Sequence, residues 1–227
     1  MQQPNKIEKS DNNPLGGIHF IERLRKVLKL HKDESITFGE IMKSLKEEGL
    51  IFLIAIVALP TAIPVPTPPG FTTLFGIPLC FLTVQMLYKI DSPWLPDWLS
   101  NRKIKVVTLG HFVDKAEMIF EKMAKFLRPR YSRFTTRNIE RLVGILSFLC
   151  SVSIALPILF GNAIPSMAIL IMALGLLYKD GLVVVIGMIT SIIGLIIAVG
   201  VIVVISFLGL EVLHRIIDSE LLHKLPF

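Results

Sequence analysis

Residues 50–88 read LIFLIAIVALPTAIPVPTPPGFTTLFGIPLCFLTVQMLY and contain no Asp, Glu, Lys or Arg. The first ten, Leu50–Leu59, are strongly apolar but cover only about half of a hydrocarbon core at roughly 1.5 Å per residue. Five prolines and Gly70 follow, and they interrupt the helix because proline lacks a backbone donor and clashes with the preceding turn. Phe71–Tyr88 then gives eighteen residues, enough for one membrane pass. The stretch predicts a hairpin of membrane helices with a non-helical, proline-rich middle.

Charge is distributed unevenly along the 227 residues. The chain carries 24 Lys and Arg and 18 Asp and Glu, a net charge of +6, yet residues 49–88 and 142–178 contain no charged side chain. Because a charge at the centre of a bilayer is costly, two such blocks exclude an ordinary soluble enzyme and predict an all-α integral membrane protein. Cys80 and Cys150 lie inside these blocks as small apolar residues, and neither a metal site nor a cofactor is expected.

The second uncharged block repeats the order of the first. Ala58-Leu59-Pro60 recurs as Ala155-Leu156-Pro157, and Leu87-Tyr88-Lys89 recurs as Leu177-Tyr178-Lys179. Each copy has an apolar lead-in, a Pro/Gly-rich break and an apolar exit, which predicts an internal duplication of hairpin units. Interrupted hydrophobic segments at matching positions of two repeats are typical of transporters. The alternative is that the prolines only bend two ordinary spans.

The charged segments divide the chain into regions around these repeats. The N-terminal basic amphipathic helix would either lie on an anionic membrane surface or pack as a cytoplasmic helix. A second helix is expected to begin at Ser35 or Thr37, ahead of Glu40, and to lead into the membrane. The predicted regions are an N-terminal arm with the amphipathic helix (1–34), membrane repeat one (35–91), a cytoplasmic or interfacial amphipathic helical linker (92–141), membrane repeat two (142–181), a C-terminal transmembrane segment (182–210) and an amphipathic tail (211–227).

Positive charge predicts the topology. Lys and Arg are concentrated in residues 1–48 and 89–141, which favours the cytoplasm for both segments by the positive-inside rule. The same rule accounts for these basic residues, so no nucleic-acid partner is expected. The first residues lack the apolar core of a secretory signal, and the N-terminus is therefore expected in the cytoplasm. Leu182–Gly209 is punctuated by glycines and is the expected contact surface of a homodimer.

The two breaks form the predicted binding site. A broken helix leaves backbone groups that are tolerated at membrane depth only when protein or a water-filled cavity covers them. Helix N-termini favour anionic groups such as a carboxylate, and residues 70–72 and 162–166 each indicate a helix restart. The residues predicted to bind a small-molecule solute are Thr61, Pro64, Pro66, Thr67, Pro68, Gly70, Phe71, Thr72, Gln85, Phe160, Gly161, Asn162, Pro165 and Ser166.

Several motifs occur together, in order, over residues 35–205. They are Ala58-Leu59-Pro60 with the prolines up to Gly70, Gly76-Ile77-Pro78-Leu79 with Gln85, Trp94-Leu95-Pro96, Arg128-Pro129-Arg130, Glu140-Arg141-Leu142, Ala155-Leu156-Pro157, Phe160-Gly161-Asn162-Ala163-Ile164-Pro165 and Lys179-Asp180-Gly181. This pattern resembles the ExoD family of bacterial membrane proteins. The resemblance implies a multi-pass protein of the bacterial inner membrane that is linked to exopolysaccharide synthesis. The family name records a phenotype and carries no mechanism.

Three classes of function compete. Duplicated broken helices favour a transporter of a small polar or charged solute such as an amino acid. The family resemblance favours a non-catalytic accessory or scaffold protein of exopolysaccharide production. An enzyme would need a catalytic constellation, and the apolar blocks contain no carboxylate, so no enzymatic activity is expected. The ionisable residues at the ends of the blocks are Glu47, Glu48, Lys89, Asp91, Glu140, Arg141, Lys179 and Asp180.

Overall fold

The computed structural model describes residues 16–30, 35–63, 68, 70–88, 90, 93–124, 127, 129–131, 137–156 and 162–223. The elements within these ranges are α1 (Gly16–Leu30), β1 (Ser35–Thr37), α2 (Phe38–Ala62), α3 (Phe71–Leu87), α4 (Asp97–Ser100), β2 (Lys103–Lys105), α5 (Val106–Ala124), α6 (Arg137–Ala155), α7 (Ala163–Leu177) and α8 (Gly181–His223). The prediction of an all-α chain is confirmed. The two strands are three residues long and pair antiparallel, with Ile36 opposite Ile104.

Helix α2 begins at a capping box. Thr37 Oγ1 accepts a hydrogen bond from Glu40 N (3.3 Å), and Thr37 N donates to Glu40 Oε2 (2.9 Å), which satisfies two donors at the helix start. Of the two caps that the sequence suggested, Thr37 is the one used. Ser35 instead pairs with Lys105 in the strand ribbon. The ribbon thus fixes the residue at which α2 starts.

Helix α2 differs from its prediction at two points. Its backbone is interrupted at Lys46, which has φ 52° and ψ −134°, so its first turns and its apolar part run in different directions. At the other end, the predicted break at Pro60 is not the end of the helix, because α2 continues through Pro60 to Ala62. A proline this close to a helix end removes only its own hydrogen bond, and the last turn closes around it.

The two predicted helix restarts are confirmed. Helix α3 begins at Phe71 directly after Gly70, whose φ of 86° is a conformation that glycine adopts without steric cost. Helix α7 begins at Ala163 after Asn162, and Pro165 lies in its first turn, where its missing N–H would have no partner. Residues 64–67, 69 and 157–161, in the breaks themselves, lie outside the described residues.

One hydrophobic core joins α1, α5, the first turns of α2 and the C-terminal end of α7, and we call this region the base. Its buried residues include Phe20, Ile21, Leu24, Ile41, Leu45, Val113 and Tyr178. Helix α1 therefore buries its apolar face against protein. On the outside of the base, Arg25 of α1 forms ion pairs with Asp114 (3.1 Å) and Glu117 (2.6 Å) of α5.

The apolar part of α2 forms a bundle with α3, α6, α7 and α8. Within it, α2 packs against α7 and α3 packs against α6, so each hairpin contacts the other through both of its helices. Gly76 of α3 lies so close to the backbone of Ala155 in α6 that a Cβ at position 76 would clash with it. The buried residues Ile54, Ala58, Leu79, Cys150, Ile154 and Ile169 fill the centre of the bundle.

Helix α8 runs antiparallel to α7 along a row of glycines. Gly175 approaches Val184, Gly187 approaches Met172, and Gly194 approaches Pro165, so the contact continues to the first turn of α7. Beyond it α8 continues without interruption to His223. The helix thus runs through 210/211, the predicted boundary between the C-terminal transmembrane segment and the amphipathic tail.

Among the residues that the structure describes, two helices are long and apolar enough to cross a membrane by length and composition. They contain Asn138–Ala155 (18 residues) and Gly181–Glu211 (31 residues), and only 11% of the second segment is buried. Helices α3 and α7 are also apolar but have 17 and 15 residues. The bundle exposes many large apolar side chains, among them Ile56, Leu74, Ile77, Leu149, Ile189 and Phe207.

A glycine exchange tests the α7–α8 contact. An alanine Cβ at position 187 would lie 2.8 Å from Met172 N, whereas one at position 200 would meet nothing within 4 Å. Overpacking costs about 1–3 kcal/mol, and replacing a helical glycine by alanine returns about 1 kcal/mol. We expect Gly187→Ala to lower the unfolding temperature in mild detergent and Gly200→Ala to keep or raise it. Equal shifts for the two variants would contradict the described packing.

Candidate functional site

The two helix breaks meet at one end of the bundle. Asn162, before α7, is 3% exposed, and its Nδ2 donates to Thr72 Oγ1 in the first turn of α3 (3.0 Å) and to the Leu156 carbonyl oxygen beyond α6 (3.2 Å). The last carbonyl oxygens of a helix lack partners within it. Asn162 therefore satisfies one such carbonyl and joins the starts of α3 and α7.

Two buried polar atoms near this point have no hydrogen-bond partner among the described residues. They are Asn162 Oδ1 and Ser153 Oγ of α6. Ser166 donates to the Asn162 carbonyl oxygen (2.7 Å), and Thr61 donates to the Ala58 carbonyl oxygen (3.0 Å). Both hydroxyls keep lone pairs that can accept another donor. The break region thus offers mainly acceptors.

Polar side chains continue from the breaks into the interface of α3 and α6. Thr83 Oγ1 and Ser151 Oγ lie 3.2 Å apart, and both residues are fully buried. We call the set Thr72, Thr83, Ser151, Ser153, Asn162 and Ser166 the polar seam. Hydroxyl and amide groups of this kind either join helices or accompany a polar pathway through an apolar bundle.

The structure brings together only part of the predicted site. Thr72, Asn162 and Ser166 lie at the breaks with Phe71, Pro165 and, at the end of α2, Thr61, while Pro68 and Gly70 lie exposed in the first break. Pro64, Pro66, Thr67, Phe160 and Gly161 lie outside the described residues. Gln85 is thirteen residues after Thr72, about 20 Å along α3. It exchanges hydrogen bonds with the backbone of Trp94, at 2.6 and 3.1 Å.

A charged cleft lies at the opposite end of the bundle, where it meets the base, and sequence reasoning assigned it no role. The cleft has a volume of about 860 Å³ and is lined by Arg23, Lys43, Leu45, Lys46, Glu47, Glu48, Ile51, Glu140, Leu176, Leu177 and Lys179. The sequence feature that could have indicated the cleft is that Glu47, Glu48, Glu140 and Lys179 flank the two uncharged blocks. Their convergence depends on the pairing of α2 with α7, which the sequence pattern does not contain.

The charges of the cleft are only partly paired. Glu48 Oε2 is buried and lies 3.7 Å from Arg23 Nε, beyond hydrogen-bond distance. Lys43, Lys46 and Lys179 are exposed and form no ion pair with any part of the chain that the structure describes. The cleft is thus lined by four basic and three acidic side chains, a formal excess of one positive charge.

Asp180 ties the turn between α7 and α8 to the base. It is fully buried, its Oδ2 lies 3.4 Å from Arg130 Nε, and its Oδ1 accepts from Leu182 N (3.1 Å) and Val183 N (3.4 Å) at the start of α8. Gly181 N donates to the Arg130 carbonyl oxygen (2.9 Å). The neighbouring Tyr178 lies in the core of the base, and burial raises the pKa of its hydroxyl.

Two substitutions separate the roles of Asp180. Asp180→Ala removes the cap and the ion pair, whereas Asp180→Asn keeps an Oδ1 acceptor for the two backbone donors. Losing a cap costs about 0.5–2 kcal/mol. We expect the alanine variant to lose about that much stability in thermal unfolding and the asparagine variant to lose less than half of it. Equal losses would show that the ion pair with Arg130 dominates.

A metal centre has no support in the described ranges, since no group of three or more His, Cys, Asp and Glu side chains there could hold an ion. Polar chemistry in this part of the chain is concentrated in the seam and in the cleft. The Asn162 end of the seam and the cleft lie at the two ends of α7, about 22 Å apart for its 15 residues.

Comparison with known proteins relates the chain to one protein family. A family model described as "Exopolysaccharide synthesis, ExoD" matches residues 20–200. The protein named Protein ExoD from Rhizobium meliloti is 30% identical over 157 residues, which cover 67% of this chain and 65% of that protein. An uncharacterized protein of Synechocystis is 26% identical over 159 residues, 70% of this chain and 74% of its own length. The chain thus spans about two thirds of the Rhizobium relative. No solved structure matches it.

Proposed function

The chain belongs to the ExoD family, and from this premise we propose that it is a multi-pass protein of the bacterial inner membrane that transports a small polar or charged solute, such as an amino acid, in support of exopolysaccharide synthesis. The observation that carries the transport proposal is Asn162, a buried amide at the meeting point of two interrupted helices with an unsatisfied oxygen. We also propose that the chain is not an enzyme, because the seam consists of hydroxyl and amide groups, which supply no general acid or base.

The lengths of the helices support a specific membrane arrangement. Residues 181–211 extend over about 46 Å, more than a hydrocarbon core of roughly 30 Å, so α8 can cross it alone. The contact of Gly194 with Pro165 places the first turn of α7, and with it the second break, about 20 Å along α8 from Gly181. With α8 across the bilayer, the breaks of both hairpins lie inside it. Each of the proposed hairpins α2–α3 and α6–α7 would then enter the bilayer from one side and return to that same side.

The packing pattern supports an internal duplication. Suppose that α2 in the first repeat corresponds to α6 in the second, and α3 to α7. A symmetric pair of repeats then needs both an α2–α7 contact and its equivalent, an α6–α3 contact. Both contacts exist, as do the equivalent α2–α3 and α6–α7 contacts. Two hairpins with breaks at the same end are related by an axis along the membrane normal, which is a parallel repeat.

The proposed topology has a direct test. The base contains the charged N-terminal and middle segments and is proposed to be cytoplasmic, so a single crossing by α8 would put the C-terminus outside. We expect alkaline phosphatase fused after residue 227 to be active and green fluorescent protein at the same site to be dark. The opposite pattern would mean that α8 does not cross the membrane once. A fusion to the N-terminus should show the reverse pattern and serves as the control.

The solute pathway is proposed to run from the cleft to the seam. The cleft offers charges of both signs at the cytoplasmic boundary, and the seam offers uncharged acceptors deeper in the bundle. Asn162 Oδ1 and Ser153 Oγ could accept hydrogen bonds from an ammonium or hydroxyl group that reaches them. Burial of such atoms without a partner is costly, by about 1–3 kcal/mol, so a bound solute or water would stabilise the site.

Uptake of a radiolabelled amino-acid mixture by proteoliposomes tests the transport proposal. We expect uptake above that of empty liposomes, and Asn162→Ala should reduce it about tenfold or more per folded protein, because a lost hydrogen bond to a charged group is worth that much. Gln85→Ala is the matched control, since the Gln85 side chain bonds to the backbone of Trp94. Equal loss in both variants would show that the effect is structural.

The second candidate is a non-catalytic accessory or scaffold protein, which fits the family description directly. One structural observation favours it. The described part of α8 beyond the bundle, from Ile196 to Leu210, is largely exposed, and Gly200 and Gly209 meet nothing within 4 Å. A homodimer contact along this segment is proposed for either function. Absence of uptake for all solutes, with intact folding, would favour the accessory role.

A further inference from the structure

Both tryptophans of the chain lie on one short segment and are exposed. This segment, residues 94–105, contains α4 and β2, and we call it the rim. Trp94 is 58% exposed and Trp98 is 71% exposed, whereas the neighbouring Leu95 and Leu99 pack into the core of the base. Large aromatic side chains on the outside of a segment whose leucines are buried indicate a surface that meets an apolar partner.

The rim is held at the junction of the bundle and the base. Gln85, near the end of α3, exchanges hydrogen bonds with the backbone of Trp94, and the centroids of the Phe81 and Trp94 rings lie 5.3 Å apart, edge to face. Nearer its other end, Phe38 N of α2 donates to the Arg102 carbonyl oxygen (2.9 Å). The rim is therefore fixed to the end of α3 that is remote from the breaks.

An exposed apolar stripe of α3 leads to the rim. Leu74, Ile77 and Phe81 are three and four residues apart, so they share one face of the helix, and all three are exposed. This face begins near the breaks and ends at Trp94, which the Phe81 ring contacts. In the proposed membrane arrangement the stripe faces lipid chains. The rim then lies at the level of the headgroups, where tryptophan is favoured.

The outer side of the rim is basic. Arg102, Lys103 and Lys105 are exposed, and none of them forms an ion pair within the part of the chain that the structure describes. Asp97 is the one acidic residue of the rim, so three positive charges stand against one negative charge. Each Lys or Arg at the surface of an anionic leaflet strengthens attachment about fivefold. Exposed tryptophans beside a basic edge are complementary to an anionic lipid surface.

We propose that the rim binds anionic phospholipids at the cytoplasmic surface of the membrane, an inference that rests on the membrane location proposed above. Trp94 and Trp98 lie among the headgroups, and the three basic side chains lie at the lipid phosphates. Because Gln85 joins the rim to α3, lipids bound there also fix how deep the breaks lie in the bilayer.

Tryptophan fluorescence of the full chain in proteoliposomes tests the proposal, because Trp94 and Trp98 supply all of that signal. Brominated lipids quench tryptophan on contact. The bromine can be carried by phosphatidylglycerol, which is anionic, or by phosphatidylcholine, which is zwitterionic. At equal fractions of brominated lipid we expect phosphatidylglycerol to quench about twofold more than phosphatidylcholine. Equal quenching by the two lipids, or none by either, would overturn the proposal.

A charge variant of the rim identifies the source of the preference. It combines Arg102→Gln, Lys103→Gln and Lys105→Gln. Because the three side chains are exposed and form no ion pair in the described chain, we expect an unchanged unfolding temperature. The two brominated lipids should then quench the tryptophans equally. A folded variant that keeps the full preference for phosphatidylglycerol would contradict the assignment.

The matched control removes the same charge elsewhere. It combines Lys26→Gln, Lys29→Gln and Lys122→Gln, at exposed positions of α1 and α5. We expect this variant to keep the preference for phosphatidylglycerol. Equal loss of the preference in both triple variants would mean that the net charge of the chain attracts the lipid, and it would contradict a role for the rim.

A reporter on α8 separates the rim from the proposed membrane location. In a chain with Trp94→Phe and Trp98→Phe, Phe207→Trp places a single tryptophan on the exposed apolar part of α8. If brominated lipid quenches that residue and not the native tryptophans, the chain is in the membrane and only the assignment of the rim is refuted. If neither position is quenched, the proposed membrane location is refuted as well.

Discussion

The hydrogen bonds of Asn162 hold together the two points at which apolar helices are interrupted. An interrupted helix leaves carbonyl and amide groups without partners, and an apolar surrounding offers none. The Asn162 side chain supplies such a partner: its Nδ2 donates hydrogen bonds to the carbonyl oxygen of Leu156 beyond α6 and to the hydroxyl of Thr72 in α3. The starts of α3 and α7 are joined in this way at the end of a bundle in which α3 packs against α6 and α2 against α7.

The opposite end of the bundle is organised by charge. Asp180 caps α8 and pairs with Arg130, while Lys46 kinks α2 as it leaves the base. The parts of the bundle helices within residues 49–88 and 142–178 carry no charged side chain. The cleft lies where the two regions meet, so it is the place where a polar ligand can approach the apolar helices.

Much of this arrangement could be predicted from local sequence. Residues without charge delimit the bundle helices, Gly70 and Asn162 mark the restarts, and Thr37 with Glu40 forms the capping box. Each of these signals acts within a few residues, which is why a sequence pattern reveals it. The family could also be predicted from the sequence, because many short motifs occur in one order along the chain.

The features that could not be predicted depend on contacts between distant residues or on the details of one turn. Gln85 is one of the predicted binding residues, and nothing in the sequence indicates that its side chain bonds to the backbone of Trp94, which the chain after α3 positions. Pro60 was read as a helix end although α2 closes its last turn around it. The cleft needs Lys43 on α2 beside Lys179 after α7, and only the crossed packing of the hairpins brings them together.

The two breaks are proposed to lie together inside the bilayer. This placement can be tested by labelling cells with a membrane-impermeant maleimide, using single cysteines at Ile63→Cys and Leu156→Cys in a variant without Cys80 and Cys150. Both positions are exposed and flank the breaks, and Glu211→Cys beyond the apolar part of α8 is the positive control. We expect labelling at position 211 and none at positions 63 and 156 until detergent dissolves the membrane. Labelling of both break positions from outside would contradict it, because the hairpins would then cross the membrane completely.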